Sequence, residues 1–493
     1  MDVLLAAGGS GQEVASAVLR LCYLAGRPLP DIVVFDSDIA QRPPGEGAET
    51  RMQVLSGLDQ RLQELGVINQ TRLTLCNPSA TRNITGQVQK VEDLYADTGH
   101  LRPDDDTLLS LLLDAEQRRT SVHNGFHGQP AVGSLLFAGA WARGTFQDLE
   151  DMLKVHASSE EGLRVVLAGS VAGGVGTAVL PFISKLLKRL RDQQKRVTIR
   201  AVLQLPWFFL RRSEKDRLSL EPDVTEAQFS RNAACLVRGY LRDLQNSTLD
   251  SLVLLGLPKP VERVSHGGDR QLETRHYVCV CAGMMATNLL DRKSTEALLG
   301  EQPNGVFGMS LKTSASPSAF DGPPAGPALY LPERTITVKQ LLDVARSLSG
   351  YTRQLTRELQ TRSPSAMHHA SVQSALTALD TTSRIHAFSQ GVEGFAKLHD
   401  ELLEWLRASL ASMVGSSRAD PIGVFDPAGG WHALTDTSPR AVLAASSRTA
   451  AFFAPPRRVL SLKPRLRADR SMSGRDAAWR YVSDTREEIL RRV

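Results

Sequence analysis

Short apolar runs alternate with amphipathic stretches over the first 290 residues, and that alternation predicts a β-α-β plan. Val3 to Ala7 reads as a buried strand and Gly8 to Gly11 as a tight loop. Gln12 to Leu24 reads as a helix, because Val14, Val18, Leu21 and Cys22 recur at helical spacing. Gly26, Pro28 and Pro30 break the chain before a strand at Ile32 to Phe35. Residues 42–50 form a polar loop, and residues 51–120 hold helical pieces whose packing the pattern leaves open.

A second unit begins near Gly162. LRVVLAG predicts a strand, a glycine loop follows, and VLPFISKLLKRLRDQQ predicts a helix with a basic outer face. VTIRAVLQL and SLVLLGL predict further strands, with the helix EAQFSRNAACLVRGYLRDL between them and the apolar helix Thr274 to Asp291 after them. Strands alternating with crossover helices predict a doubly wound, mainly parallel α/β sheet. That domain is expected over 1–295, a Gly/Pro/Ser-rich connection over 296–335, a helix-rich C-terminal domain over 336–455 and a basic tail over 456–493. The twenty uncharged residues from Val165 to Ser184 have the length of a membrane span. Four glycines in their middle favour strand, turn and helix instead.

A chain of 493 residues with 42% hydrophobic and 23% charged residues is globular and long enough for two or three domains. With only 5 Trp, 7 Tyr and 15 Phe, a base-stacking nucleic-acid platform is not expected. The net charge of +5 comes from the end of the chain, where Arg457 to Arg492 carry eleven cations and five carboxylates. Such a tail is either solvated or a helix laid on the body, or a contact for an acidic partner, membrane lipid or nucleic acid. Cys22, Cys235, Cys279 and Cys281 fall in apolar helical runs and no zinc spacing occurs, so buried thiols in a reducing, cytoplasmic setting are expected.

Two glycine loops, Ala7 to Glu13 and Ala168 to Thr177, each leave a strand and enter a helix. That geometry aims backbone N–H groups and the positive helix end at one spot, which suits phosphate. The first loop, with Asp36 or Asp38 after the next strand, also fits a dinucleotide site. Neither loop carries the Lys of a Walker phosphate loop.

The order of these pieces resembles the tubulin/FtsZ superfamily, in its divergent bacterial branch. AGGVGTAVLP is similar to the family's G-G-G-T-G-[ST]-G phosphate loop at Gly173, Gly174, Gly176 and Thr177, with Pro181 matching the A-A-P that follows in FtsZ. Val175 stands where a Thr is usual and Ala178 where a Gly is usual. AGGSGQEVA resembles tubulin's A-G-Q-C-G-N-Q-I-G at Ala7, Gly8 and Gly11. FDSDIAQ resembles the N-T-D-A-Q loop at Asp38, and HGQPAVG, which includes Gly128, resembles the G-A-N-P-E-V-G loop at Pro130, Val132 and Gly133. LPWFFLRR resembles the segment that reaches the ribose. The likeness covers roughly the first 290 residues.

The resemblance implies a tubulin/FtsZ-like GTPase domain that binds GTP or GDP, with Mg as an accompanying ion, and self-associates into a filament or oligomer. Gly8, Gly9, Ser10, Gly11, Gln12, Gly173, Gly174, Val175, Gly176 and Thr177 would then line the phosphates, and Asp38 the nucleotide rim. Glu13 falls where FtsZ reads guanine, and equally suits an early helical turn. Asn232, Arg231, Arg211 and Arg212 are candidate nucleotide contacts or surface residues. His276 and Tyr277 would flank the base or pack in the core. Catalysis in the family comes from a loop after the central helix that enters the neighbouring subunit. Here that loop offers only Asn288 and Asp291, and Asp291 also reads as a helix-end charge, so hydrolysis is expected to be slow or partner-dependent. His368 and His369 are adjacent, diverge on a helix and make a poor metal pair. A non-catalytic adaptor that recruits partners through the C-terminal helices and basic tail, and an NAD(P)-dependent oxidoreductase, remain open alternatives.

Overall fold

The computed structural model describes residues 1–36, 50–77, 113–119, 129–142, 144–193, 195–211, 226–246, 248–256, 261–264, 276–300, 304–310, 328–331, 334–361, 379, 381–414, 423–426, 430–433 and 472–492. Asp38, Gly128, Arg212, His368 and His369 lie outside the described residues. The chain divides into two compact units: Met1–Val18, Pro30–Ser56 and Leu73–Gly326 form the first, and Leu19–Leu29, Gly57–Arg72 and Pro327–Val493 the second.

The first unit is an α/β fold around seven strands: β1 (Asp2–Ala7), β2 (Asp31–Phe35), β3 (Leu73–Cys76), β4 (Leu163–Ser170), β5 (Val197–Gln204), β7 (Ser251–Gly256) and β9 (Gly305–Ser310). Their order is β3-β2-β1-β4-β5-β7-β9 and every neighbouring pair is parallel. β1 thus has β2 on one side and β4 on the other, so the chain reverses its direction of growth between β1 and β4. A separate parallel pair joins β6 (Phe208–Arg211) to β8 (Val261–Val264).

The helices are α1 (Gly8–Ala25), α2 (Arg51–Glu64), α3 (Ala115–Arg118), α4 (Pro130–Ala142), α5 (Gln147–Ala157), α6 (Gly174–Asp192), α7 (Glu226–Gln245), α8 (Tyr277–Leu289) and α9 (Arg292–Leu299). α1 and α2 begin in the first unit and end in the second. Successive strand side chains point to opposite faces. Leu5, Leu167 and Ile199 join Leu136 of α4, Leu153 of α5, Val179 of α6 and Tyr240 of α7 in one buried core. On the other face α1 crosses Ala6 and Ala168, and α8 runs against β5. α8 is antiparallel to that strand: Cys279 lies against Gln204 near the strand's end, and Arg200 donates to the Leu289 carbonyl at 2.6 Å. Burial holds the Arg200 pKa below its ordinary value.

Three sequence expectations change. The glycines from Gly8 to Gly11 are the first turn of α1, not a loop before it; Gly8 alone takes a left-handed φ of 70° and turns the chain straight from strand into helix. β9 arises within 296–335 and pairs with β7, so the sheet runs past residue 295. Cys235 is exposed, because it shares the outward face of α7 with Arg231, Arg238 and Arg242, while Cys22, Cys279 and Cys281 are buried. No helix of the described residues is long and apolar enough to cross a membrane.

The second unit is helical. α10 (Val338–Thr361), α11 (Thr382–Val414) and α12 (Gly474–Arg492) pack on one another. Hairpins β10 (Ala328–Leu331) with β11 (Arg334–Thr337) and β12 (Gly423–Asp426) with β13 (Gly430–Ala433) accompany them. α10 starts from a reciprocal cap in which Thr337 N–H donates to Gln340 and Gln340 N–H to Thr337. Leu341, Val344, Leu348, Tyr351 and Leu355 form its buried stripe. Inside the bundle, His399 is wholly buried between the Tyr23 hydroxyl at 2.8 Å and Thr352 Oγ1 at 3.1 Å. Arg486 of α12 donates to the Tyr23 carbonyl at 2.9 Å and lies over the Tyr23 and Trp479 rings. The end of the basic segment is therefore a packed helix, with Ala477, Tyr481, Val482 and Ile489 buried.

Candidate phosphate-binding site

The site follows from where α1 and α6 begin. Both start at the carboxyl ends of adjacent strands, α1 straight from β1 and α6 three residues after β4, one on each face of the sheet. Their first turns meet: a Cβ on Gly8 would lie 3.3 Å from Val175 Cβ and 3.6 Å from the Gly176 amide. In an open parallel sheet this reversal point is where ligands bind, in the crevice beyond the strand ends.

The first turn of a helix leaves its N–H groups without intrahelical partners. Gly173 caps α6 without a side chain, no acidic residue occupies the first turn, and the next amides are those of Gly174, Val175 and Gly176. α1 likewise has no acidic residue in its first turn. Two positive helix ends therefore converge without a first-turn carboxylate to offset them.

The glycines here serve two purposes. Gly11 and Gly176 permit contact within the fold: a Cβ on Gly11 would lie 2.9 Å from the Ala6 carbonyl carbon, and one on Gly176 2.8 Å from the Ser170 carbonyl oxygen. Gly173 differs, since its Cβ position has only Ser170 Cβ nearby, at 3.9 Å. Gly9 and Ser10 are half-buried at the start of α1. The Val175 side chain is buried in the core beside Gly8. The Thr177 hydroxyl donates to the Gly173 carbonyl and also lies 3.1 Å from that of Gly174, which directs its proton into the helix.

Side chains around α1 are closely engaged. Gln12 Nε2 donates to Asp36 Oδ2 at 2.6 Å, both residues being buried. Glu13 Oε1 accepts from Arg51 Nε at 2.8 Å, and Glu13 Oε2 accepts from the Cys279 thiol at 2.5 Å. Gln204 links Cys279 to Trp207, whose indole N–H donates to Gln204 Oε1 at 3.0 Å. Sequence reasoning did not assign Arg51 or Gln204 to the site, and it named Cys279 only as a buried thiol and Trp207 only within LPWFFLRR, since each meets the site only through folding.

The remaining candidates are dispersed. His276 caps α8, accepting from Val278 N–H at 3.2 Å, and stacks on Trp207 with centroids 4.3 Å apart. His276, Trp207 and Tyr277 are all buried, and burial raises the Tyr277 pKa well above its ordinary value. Pro130 is the first residue of α4, Arg211 closes β6, and Asn232 is half-buried on α7.

Asn288 is in the last turn of α8 and Asp291 follows that helix, both toward the amino ends of the strands. Asn288 is fully buried. Asp291 caps α9, its Oδ2 accepting from Ser294 N–H at 2.8 Å and Ser294 Oγ at 2.7 Å. Asp291→Ala is expected to cost about 1 kcal/mol in urea unfolding, and Asp291→Asn much less. Equal unfolding of the alanine variant and the native chain would remove this capping role.

No protein-family model and no curated protein matches the chain. Solved structures are similar to it in fold. CetZ2 from Haloferax volcanii, in a GTPγS-bound protofilament, matches at 12% identity and TM-score 0.31 over 62% of this chain and 64% of that one. CetZ1 from Haloferax volcanii, a GDP-bound monomer, matches at 14% and 0.31 over 62% and 66%. TubZ of Bacillus thuringiensis serovar israelensis, a GTPγS-form protofilament, matches at 12% and 0.26 over 59% and 55%. These are tubulin/FtsZ-family GTPases. The chain spans less than two thirds of the length of each. Such likeness concerns the fold alone.

Proposed function

We propose that this chain is a nucleotide-binding protein that holds the phosphate chain of a guanine nucleotide between the first turns of α1 and α6. The observation that carries this reading is the contact of Gly8 with Val175 and Gly176 at the reversal point between β1 and β4. Two helix N-termini then act on one anion. The backbone amides of Gly9, Ser10 and Gly11 on one side, and of Gly174, Val175 and Gly176 on the other, would hold it. A dinucleotide site uses one such helix end, and the second gives a triphosphate its own set of donors.

Guanine as the base rests on the ordered motif resemblance from Ala7 to Arg212. In the family, bound nucleotide favours self-association, and we assign that role here. Hydrolysis is slow in this reading, because Asn288 is buried and the Asp291 carboxylate is engaged at its helix end. The nucleotide therefore acts chiefly through binding, stabilising one state of association over another.

The test is equilibrium binding of labelled GTP, GDP, ATP and NAD to the full-length chain, with light scattering before and after nucleotide addition. Saturable GTP and GDP binding with nucleotide-dependent scattering is expected. Binding of NAD alone, or of no nucleotide, overturns the reading. Binding without a change in scattering removes the self-association.

A further inference from the structure

Arg51 occupies an electrostatically unfavourable position. It is the first residue of α2, and the backbone there is fixed by a reciprocal cap: Thr50 N–H donates to Gln53 Oε1 at 2.8 Å and Gln53 N–H to Thr50 Oγ1 at 3.2 Å. A cation at a helix N-terminus opposes the helix dipole. No acidic residue lies in the first turn of α2 to offset it. Its guanidinium also reaches the N-terminus of a second helix, since Nη1 lies 3.0 Å from the Cβ position of Gly9 in the first turn of α1. Two positive helix ends and a guanidinium thus share one corner of the crevice.

Glu13 is ion-paired with Arg51, and the pair is largely enclosed, the Arg51 side chain 21% and the Glu13 side chain 13% exposed. Glu13 engages the guanidinium through Nε, while Nη1 is the nitrogen placed at Gly9. It is itself held from the other side by the Cys279 thiol of α8. An arginine carries five N–H donors in a rigid fork, so one edge can be anchored while another meets an oxyanion.

From this geometry we infer that Arg51 contacts the phosphate chain of the bound nucleotide, and that Glu13 is the positioning residue that aims it. The inference rests on the nucleotide reading above and adds to it the side-chain cation that the two backbone turns lack. It also gives Glu13 a role other than reading the base. A phosphate seated on the Gly9 amide would lie within reach of Nη1.

The experiment measures GTP, guanosine and inorganic tripolyphosphate binding to the native chain and to Arg51→Ala, Arg51→Gln and Glu13→Gln variants, after circular dichroism has confirmed each fold. Arg51→Ala is expected to weaken GTP and tripolyphosphate about 10- to 100-fold, as for loss of a charged hydrogen bond. Guanosine binding should be unchanged. Arg51→Gln keeps length and hydrogen-bonding capacity without charge, and serves if alanine unfolds the chain. Glu13→Gln should give a smaller loss of GTP affinity with a steeper salt dependence, because the cation remains but is no longer held. Native affinity for tripolyphosphate in a folded Arg51 variant, or equal losses of GTP and guanosine, overturns the role of Arg51. Failure of the native chain to bind GTP and tripolyphosphate overturns the site itself, which separates the two outcomes.

Discussion

Gly176→Val is expected to destabilise the first unit by about 3 kcal/mol, since overpacking against rigid surroundings usually costs about 1–3 kcal/mol. A Cβ at Gly176 would stand 2.8 Å from the Ser170 carbonyl oxygen and 3.3 Å from the Ser170 amide. Both are backbone atoms where β4 leads into α6, so no rotamer change relieves the clash. The first turn of α6 would be displaced from β4, and on the proposed reading nucleotide affinity should fall with stability. Gly173 is the control. Its φ of −75° suits any L-residue, and its Cβ position is clear to 3.9 Å. Gly173→Ala should leave the thermal midpoint unchanged. Equal midpoints for Gly176→Val and the native chain would mean that the close approach of α6 to Ser170 is absent in solution.

The second large effect concerns acid. His399 is buried in the helical bundle, and burial, followed by the Arg486 charge, lowers its pKa to about 3. In the unfolded chain a histidine titrates near its ordinary value of about 6.5. The native state therefore keeps His399 neutral over a range in which the unfolded state binds a proton. Its contribution is fully present above pH 6.5 and is lost as the pH falls toward 3, at about 1.4 kcal/mol per pH unit. By pH 5 the loss reaches about 2 kcal/mol. Urea unfolding of the native chain and a His399→Gln variant between pH 7 and 5 isolates this contribution, because most carboxylates titrate lower. The variant should lose most of the slope. Parallel slopes would show that His399 is protonated within the fold.

What could be read from the sequence was whatever is local. The strands at Val3, Ile32, Leu163, Val197 and Ser251 are apolar runs bounded by breakers, and all five appear in the sheet. The helix at Thr274 to Asp291 was visible as an uninterrupted apolar segment and forms α8. The strand at Gly305–Ser310 was obscured by its glycines, and it gains its identity only from pairing with β7. The start of α1 was misplaced because glycine is a poor helix former by propensity. Close packing of Gly11 on Ala6 and Ala168 requires the helix to begin there nonetheless.

For the site, the glycines themselves were legible, but their division into packing and crevice positions was not. That division depends on which backbone lies opposite, and only the β1–β4 pairing supplies it. Arg51 was hidden for a similar reason: it meets a glutamate 38 positions earlier, and no spacing rule links them. Cys279 is still more distant, 266 positions from the same carboxylate. Asp291 was the reverse case. Its dual reading as catalytic acid or helix-end charge was already apparent, and Ser294 engages it as a cap.

The bond between Arg486 and the Tyr23 carbonyl spans 463 residues. During synthesis, the tail of α1 emerges 463 residues before its buried partner on α12. That whole intervening stretch must leave the ribosome before this helical unit can close, so the nascent chain carries an unfinished apolar surface until α12 appears. Ribosome stalling before residue 486, or deletion of α12, would leave Tyr23 and His399 exposed to chaperones and proteases.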